Sequence, residues 1–215
     1  MRLLIARHGA TQFNQQYRMT GQIDAPLSAL GLRQAEALAL RLAHERFDVI
    51  VSSDLIRARQ TAEPVARRLG LPVTLDAELR EISMGEWEGR RFPDIRREHP
   101  ELLARIESDP EGATGAPDGE TWARFAARID GALARWRAAH PEGRVLWVTH
   151  GGVVSVVMMR ALGLSLDRRW QFPRGNTSLF ELDYAPRGVV VIRANDTGHL
   201  DHLRSDEEGE RAQAL

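Results

Sequence analysis

The sequence predicts an α/β fold in three layers, with helices covering both faces of a mainly parallel central sheet. Short runs of strand length with unbroken apolar centres recur along the chain, "LLIA", "DVIVSS" and "RVLWVT" among them. Between them lie longer segments whose apolar residues repeat every three or four positions. Strands that alternate with helices in this way build a parallel sheet buried on both sides.

The elements follow in chain order. Leu3–Ala6 reads as the first buried strand, followed by a polar loop through "GQIDAPLS". Ser28 is placed to cap a helix that carries Leu32, Ala35, Leu38, Ala39 and Leu42. "DVIVSS" is the second strand. The next helix carries Ala58, Ala62, Val65, Ala66 and Leu69 and ends at Gly70. Pro64 lies inside that pattern, so the helix either starts late, near Gln60, or kinks. "LPVTLD" is a third strand, and "ELREISMGEWEG" an irregular segment because Gly85 and Gly89 break any period. A short helix is expected from Pro93 to about Glu107, then a loop, "DPEGATGAPDGE". Trp122, Phe125, Ile129, Leu133 and Trp136 then mark an amphipathic helix. "RVLWVT" is a further strand with "VVSVVMMRALGL" as the helix behind it. "SLFELDY" and "GVVVIRAND" read as a closing hairpin or edge pair, and the charged tail from about residue 204 as frayed.

With 215 residues, 43% hydrophobic and 27% charged, the chain has the size and composition of one large globular domain. The formal net charge of −1 offers no general attraction to nucleic acid or an anionic membrane. No apolar stretch reaches membrane-spanning length, and the longest is cut by Arg160. The N-terminus enters a strand-like run without a signal-peptide pattern, so a cytoplasmic location is expected. Cysteine is absent, which excludes disulfides, thiolate nucleophiles and Cys-zinc sites. All 29 basic residues are arginine, which excludes a Walker A lysine and Schiff-base chemistry.

Chemistry gathers at strand ends, where ligands bind in parallel α/β sheets. Arg7, His8 and Gly9 follow the first strand, Arg57 opens the helix after "DVIVSS", and His150–Gly151–Gly152 follow "RVLWVT". Gly9 is expected to turn the chain tightly with its amide exposed, and Asn14 adds a side-chain amide. Two arginines, two imidazoles and free amides make an anion pocket suited to a phosphoryl group. Without cysteine, lysine or a G-x-S-x-G elbow, an imidazole is a candidate nucleophile at phosphorus, kept unprotonated by the arginines. Glu81, flanked by glycines, is a candidate proton donor, although a solvated role fits a lone glutamate as well.

"LIARHGATQFN" resembles the signature of the histidine phosphatase superfamily, which includes the cofactor-dependent phosphoglycerate mutases. "TGQIDAPLSALGLRQAEALA", "SSDLIRARQTAE", "LREISMGEWEG" and "VTHGGVV" resemble further family blocks in family order, over most of residues 1–90 and 120–160. The resemblance implies a phosphoglycerate mutase-like fold spanning 1–215, with a cap-like insertion at about 92–119. It implies that His8 is the phosphorylated nucleophile, that Arg7, Arg57 and His150 grip the phosphoryl oxygens, and that Glu81 is general acid and then base. Asn14, Thr20, Gly21 and Gly151 match positions lining the phosphate or substrate pocket. No metal and no cofactor is implied. The expected ligand is a small phosphorylated substrate, with neither nucleic acid nor membrane as partner and a homodimer as an open option.

The 68 residues between Glu81 and His150 (82 to 149) are few for a mutase, and the cap suits a small-molecule substrate. The layout is most similar to broad-specificity, α-ribazole and metal-independent phosphoserine phosphatases. A mutase remains the alternative, and a non-catalytic phosphate binder the alternative of another class. Specificity is expected at Arg18, Met84, Arg90, Arg91 and the cap; Arg90–Arg91 read either a second anion or a solvated helix start. His199 and His202 read as a surface tail, His44, His99 and His140 as solvated, and Trp122 and Trp136 as core.

Overall fold

The structure is a computed structural model that describes residues 1–109 and 111–203; the charged tail expected from about residue 204 lies outside them. Its elements are β1 (Arg2–Arg7), α1 (Gln12–Gln15), α2 (Ala29–Arg41), β2 (Val49–Ser52), α3 (Ile56–Leu69) and β3 (Val73–Leu75). They continue with α4 (Phe92–Glu98), α5 (Pro100–Ser108), α6 (Trp122–Ala139), β4 (Arg144–Thr149), α7 (Gly151–Leu162), β5 (Leu179–Ala185) and β6 (Gly188–Asp196). One six-stranded sheet has the order β3-β2-β4-β1-β5-β6. Neighbours from β3 to β1 are parallel, while β5 runs antiparallel to β1 and β6 to β5. The three-layer α/β architecture with a mainly parallel central sheet is therefore present.

Alternation along the strands divides the core. Leu4, Ala6, Ile50, Leu146 and Val148 pack on Leu38, Ala39 and Leu42 of α2 and Ala62, Val65 and Ala66 of α3. Leu3, Ile5, Val51, Val145 and Trp147 face the other way, onto Phe125, Ile129 and Leu133 of α6 and Val153–Met159 of α7. Because both faces are covered, the central strands carry apolar residues continuously rather than alternately.

Several local expectations are corrected. The segment expected as one helix from Pro93 to Glu107 is two, parted at His99, because Pro100 disfavours helical backbone in the residue before it. Helix α3 starts at Ile56 rather than Gln60 and keeps Pro64 inside it, so Pro64 returns no N–H to the Gln60 carbonyl. Asp24 Oδ1 accepts from the Ile56 amide at 2.6 Å, a cap supplied from a distant loop. Leu32 faces solvent, not the core. The expected closing hairpin is present as β5 and β6; β5 is paired on both sides, and β6 is the edge strand at that end of the sheet. His99 and His140 are partly buried, packed against Trp87 and Trp136 at 5.9 and 5.8 Å between ring centroids. Trp136 is only partly buried and donates to Asp76 Oδ2 at 2.7 Å.

Gly9 has no positive φ, and its amide is not free: it donates to Thr61 Oγ1 at 3.0 Å. Its lack of a side chain is required by close approach instead, since a Cβ there would lie 2.6 Å from the Gly31 carbonyl oxygen. Gly31 in turn presses on the Ala10 carbonyl. A Gly31→Ala substitution gains about 1 kcal/mol of helix propensity. It overlaps backbone that cannot rotate away, which costs roughly 1–3 kcal/mol and wins. The expected result is a lower Tm, by about 2–4 °C per kcal/mol net at this chain length; calorimetry showing an unchanged or raised Tm would refute the close packing.

Candidate active site

The parallel register places the ends of β1, β4 and β2 side by side. Arg7 pairs with Thr149, and Ser52 with Val148, so His8, His150 and Ser53 emerge together. The His8 and His150 rings lie 5.2 Å apart between centroids. Because β5 is antiparallel to β1, the residues before β5 reach this same sheet edge. The Arg7 amide donates to the Ser178 carbonyl at 3.2 Å, and Asn176 Nδ2 to the His8 carbonyl at 3.0 Å.

A cavity of about 230 Å³ opens there, lined by Arg7, His8, Asn14, Thr20, Gly21, Arg57, Glu81 and Gly151, all eight expected at the site. His150 does not line it; this residue sits deeper, fully buried behind His8. Arg18 and Met84 border the cavity as expected, whereas Arg90 and Arg91 do not. Arg90 pairs with Glu98, and the Arg91 Nε donates to the Gln16 carbonyl at 3.5 Å. The sequence reading missed Arg174, Gly152, Met19, Ile82 and Trp170, and Trp122 lines the cavity as well as filling the core. Arg174 was recoverable: a hairpin ending in an antiparallel partner of β1 brings the preceding "PRGN" to the strand ends.

Backbone carbonyls hold the cations. Arg57 Nη2 and Nη1 donate to the Gly21 and Ile23 carbonyls at 2.7 and 2.8 Å, and Arg7 Nη1 to the Arg174 carbonyl. Arg174 Nη1 donates to Ser155 Oγ and, at 3.2 Å, to the Arg169 carbonyl. The Nε groups of Arg7 and Arg57 and Nδ1 of His150 are buried and have no partner among the described residues. Burial lowers Arg7 and Arg57 to about 10, with Glu81 opposing the shift in both.

The imidazoles are driven neutral. Burial first, then the charges of Arg57 and Arg7, push His8 well below its ordinary range. Burial and Arg57 do the same to His150. His8 Nδ1 lies 2.7 Å from the Gly9 carbonyl oxygen, which only accepts, so Nδ1 carries the proton and Nε2 keeps its lone pair. Ser53 Oγ accepts from the Leu55 amide at 3.4 Å and lies 2.8 Å from His150 Nε2. A hydroxyl can donate to that nitrogen or accept from it, so the contact fixes the His150 ring and is satisfied by either tautomer.

Glu81 is fixed by amides: Gly152 N donates to both carboxylate oxygens at 3.1 Å and Ile82 N to Oε1 at 3.0 Å. A Cβ on Gly152 would overlap that carboxylate. Gly151 and Gly152 form the first turn of α7, which begins two residues earlier than the apolar run indicated, so Glu81 sits on a helix N-terminus. Arg128 of α6 holds the loop carrying Glu81 by donating to the carbonyls of Glu78, Arg80 and Glu81 at 2.6, 3.0 and 3.3 Å. Away from the site, Thr177 Oγ1 lies 3.1 Å from His199 Nε2, so His199 is anchored rather than part of a surface tail. Among the described residues no helix is long and apolar enough to cross a membrane.

A profile of the histidine phosphatase superfamily (branch 1) matches residues 3–197. A probable phosphoglycerate mutase of Yersinia pestis is 32% identical over 212 residues, covering 96% of this chain and 98% of that protein. Mycobacterial glucosyl-3-phosphoglycerate phosphatase, solved with VO3, superposes with a TM-score of 0.84 at 32% identity, over 91% of this chain and 99% of that one. A mutant phosphoserine phosphatase of Entamoeba histolytica, solved with phosphoserine, gives 0.85 at 25% identity over 93% and 98%. An Escherichia coli protein described as a putative α-ribazole-5'-P phosphatase gives 0.82 at 30% identity over 91% and 96%.

The neutral imidazoles set a pH dependence. His8 and His150 take up protons only on unfolding, so acid favours the unfolded chain. Their contribution is complete above the ordinary histidine value of 6.5 and is lost as pH falls below it toward the depressed folded values. Each imidazole is expected to contribute up to about 1.4 kcal/mol per pH unit across that window. His199, lowered to about 4 by burial, adds to the same slope. Urea unfolding at pH 7.5, 6.5 and 5.5 checks this, and a flat profile would show the imidazoles already protonated in the fold.

Proposed function

The chain belongs to the histidine phosphatase superfamily, branch 1, and is thus a phosphatase or a mutase; from that premise we propose a phosphatase. The reading is a metal-independent phosphomonoester hydrolase that acts on a small phosphorylated metabolite through a phosphohistidine. We read 1–215 as one domain of this kind, with 92–119 as its cap. The observation that carries the proposal is the state of His8. Its Nδ1–H is committed to the Gly9 carbonyl, its Nε2 is unprotonated, and it lines a cavity shared with Arg7, Arg57 and Arg174.

In the first step Nε2 of His8 attacks phosphorus, the N–P bond forms, and the P–O bond to the alcohol breaks. Glu81 is the proton donor to the departing oxygen. Arg7 and Arg57 line the cavity with Nε–H groups that have no partner among the described residues, and they are the donors for the equatorial oxygens in this reading. Fixed donors of this kind stabilise charge that grows in the transition state. The Gly9 carbonyl, accepting from Nδ1–H, favours the positive charge that develops on the ring. His150, held at Nε2 by Ser53 and with its Nδ1 unpartnered among the described residues, adds a polar contact from below and orients the pair of rings. In the second step water attacks phosphorus, Glu81 takes its proton, and the N–P bond breaks to release phosphate and neutral His8. Asn14, Thr20, Gly21 and Gly151 shape the mouth around the phosphoryl group.

Two features support hydrolysis over transfer between positions: the short 82–149 segment, and the phosphatase names of the similar structures. The mutase reading is favoured by the name of the Yersinia pestis relative. Conversion of 3-phosphoglycerate to 2-phosphoglycerate at a rate above its hydrolysis would select it.

With chelator present, the protein is expected to release phosphate from p-nitrophenyl phosphate. His8→Ala abolishes this while the Tm stays close to that of the parent, and Arg57→Ala lowers kcat by about 10²–10³. Clear turnover by His8→Ala would eliminate the covalent route.

A further inference from the structure

Two cavities meet at one wall. The site cavity shares Met19, Ile82, Met84, Trp122 and Trp170 with a smaller void of about 30 Å³. That void runs under the 92–119 segment and reaches Phe92 of α4 and Leu103 and Ile106 of α5. Its one charged lining residue is Glu120, and both carboxylate oxygens already accept from Arg128, at 3.1 and 2.8 Å. Arg7, Arg57 and Arg174 line the first cavity alone. The cationic cavity at the strand termini is one end and the apolar void beneath the cap the other, with the five shared side chains between them.

We propose that the apolar end receives the alcohol half of the substrate, so that the preferred substrates are phosphomonoesters of aromatic or branched apolar alcohols. This rests on the phosphomonoester reading above. The five shared wall residues carry no charge, and the nearest guanidinium groups, Arg169 and Arg174, are already engaged by backbone carbonyls and the tryptophan rings, so a carboxylate or second phosphate placed against the wall would lose water and meet only cations already engaged. Arg18, at the exposed rim, is tied to the Gly89 carbonyl at 2.7 Å and Gln16 Oε1 at 2.9 Å. Arg174 donates to Ser155 Oγ and the Arg169 carbonyl and lies over the Trp170 ring at 5.4 Å. The aromatic part of the wall is rigid: the Trp122 and Trp170 rings meet edge to face at 6.1 Å, and the buried Arg169 guanidinium lies over both, at 4.6 and 5.1 Å. The remainder is adaptable, because Met19 and Met84 are unbranched and rotate readily. Folded interiors leave few voids, and an apolar one stays dry. A substituent that displaces the two methionines fills such a void next to the reacting phosphorus.

The test separates this proposal from the hydrolase reading. Calorimetric binding of benzylphosphonate and methylphosphonate to the purified protein differs only in the aryl group and needs no turnover. Benzylphosphonate is expected to bind about tenfold tighter or more, the least that a well-matched apolar group contributes to discrimination. Met84→Gln, and independently Trp170→Ala at a position 47% exposed, is expected to bring the ratio close to one. In parallel, kcat/KM for 1-naphthyl phosphate is expected to exceed that for glycerol 3-phosphate and 3-phosphoglycerate by about tenfold or more. Equal affinity for the two phosphonates, full preference retained in both variants, or faster turnover of 3-phosphoglycerate overturns the apolar subsite. A phosphonate preference without hydrolysis of any ester supports the subsite and overturns the hydrolase.

Discussion

Arg7, Arg57 and Arg174 bring three guanidinium groups to one small cavity, and Glu81 is the single carboxylate among its described lining residues. Three like charges in a partly desolvated space repel one another, and the fold holds them without neutralising them. Carbonyl oxygens of Gly21, Ile23, Arg174 and Arg169 accept their hydrogen bonds, which satisfies donors but cancels no charge. Burial first, and then the positive potential that remains, explain the neutral histidines, because a proton on either imidazole would add a further buried cation to the cluster. That potential also suits an anion, which is why the proposed reaction places a phosphoryl dianion there.

That concentration of charge persists because the groups stand on rigid elements. His8 and His150 continue two hydrogen-bonded parallel strands, and Arg57 is in the first turn of a helix capped from outside by Asp24. Glycines act here mainly through close approach. Gly9 and Gly31 let α2 sit against the turn after β1, and Gly152 admits the Glu81 carboxylate to the start of α7. Arg128 secures the irregular loop that carries Glu81, where neither helix nor strand would fix its position.

The two ends of the cavity come from different kinds of sequence. The cationic end is made by strand termini within the regular β/α alternation. The apolar wall comes from the irregular 78–89 loop, the start of α6 and the 3-10 turn Leu166–Gln171, with the 92–119 segment behind it. The same division separates the chemistry, which needs fixed donors, from recognition, which tolerates movement of the methionines.

Much of this was legible in the linear sequence. Unbroken apolar runs such as "RVLWVT" reported burial on both faces, three- and four-residue spacing reported the helices, and "ARHG", "IRARQ" and "THGG" marked the strand ends that meet. These features are local, and strand and helix periods impose them on any chain that adopts the layers. What sequence alone left undecided is non-local. The Gly9 amide belongs to Thr61, 52 residues away along the chain. Arg174 reaches the site only because β5 runs antiparallel to β1, and Trp122 becomes a pocket wall only where Trp170 and α5 meet it. Which neighbour takes a donor, and which side chain borders a void, depends on packing between elements distant in sequence; periodicity records only which face of each element turns inward.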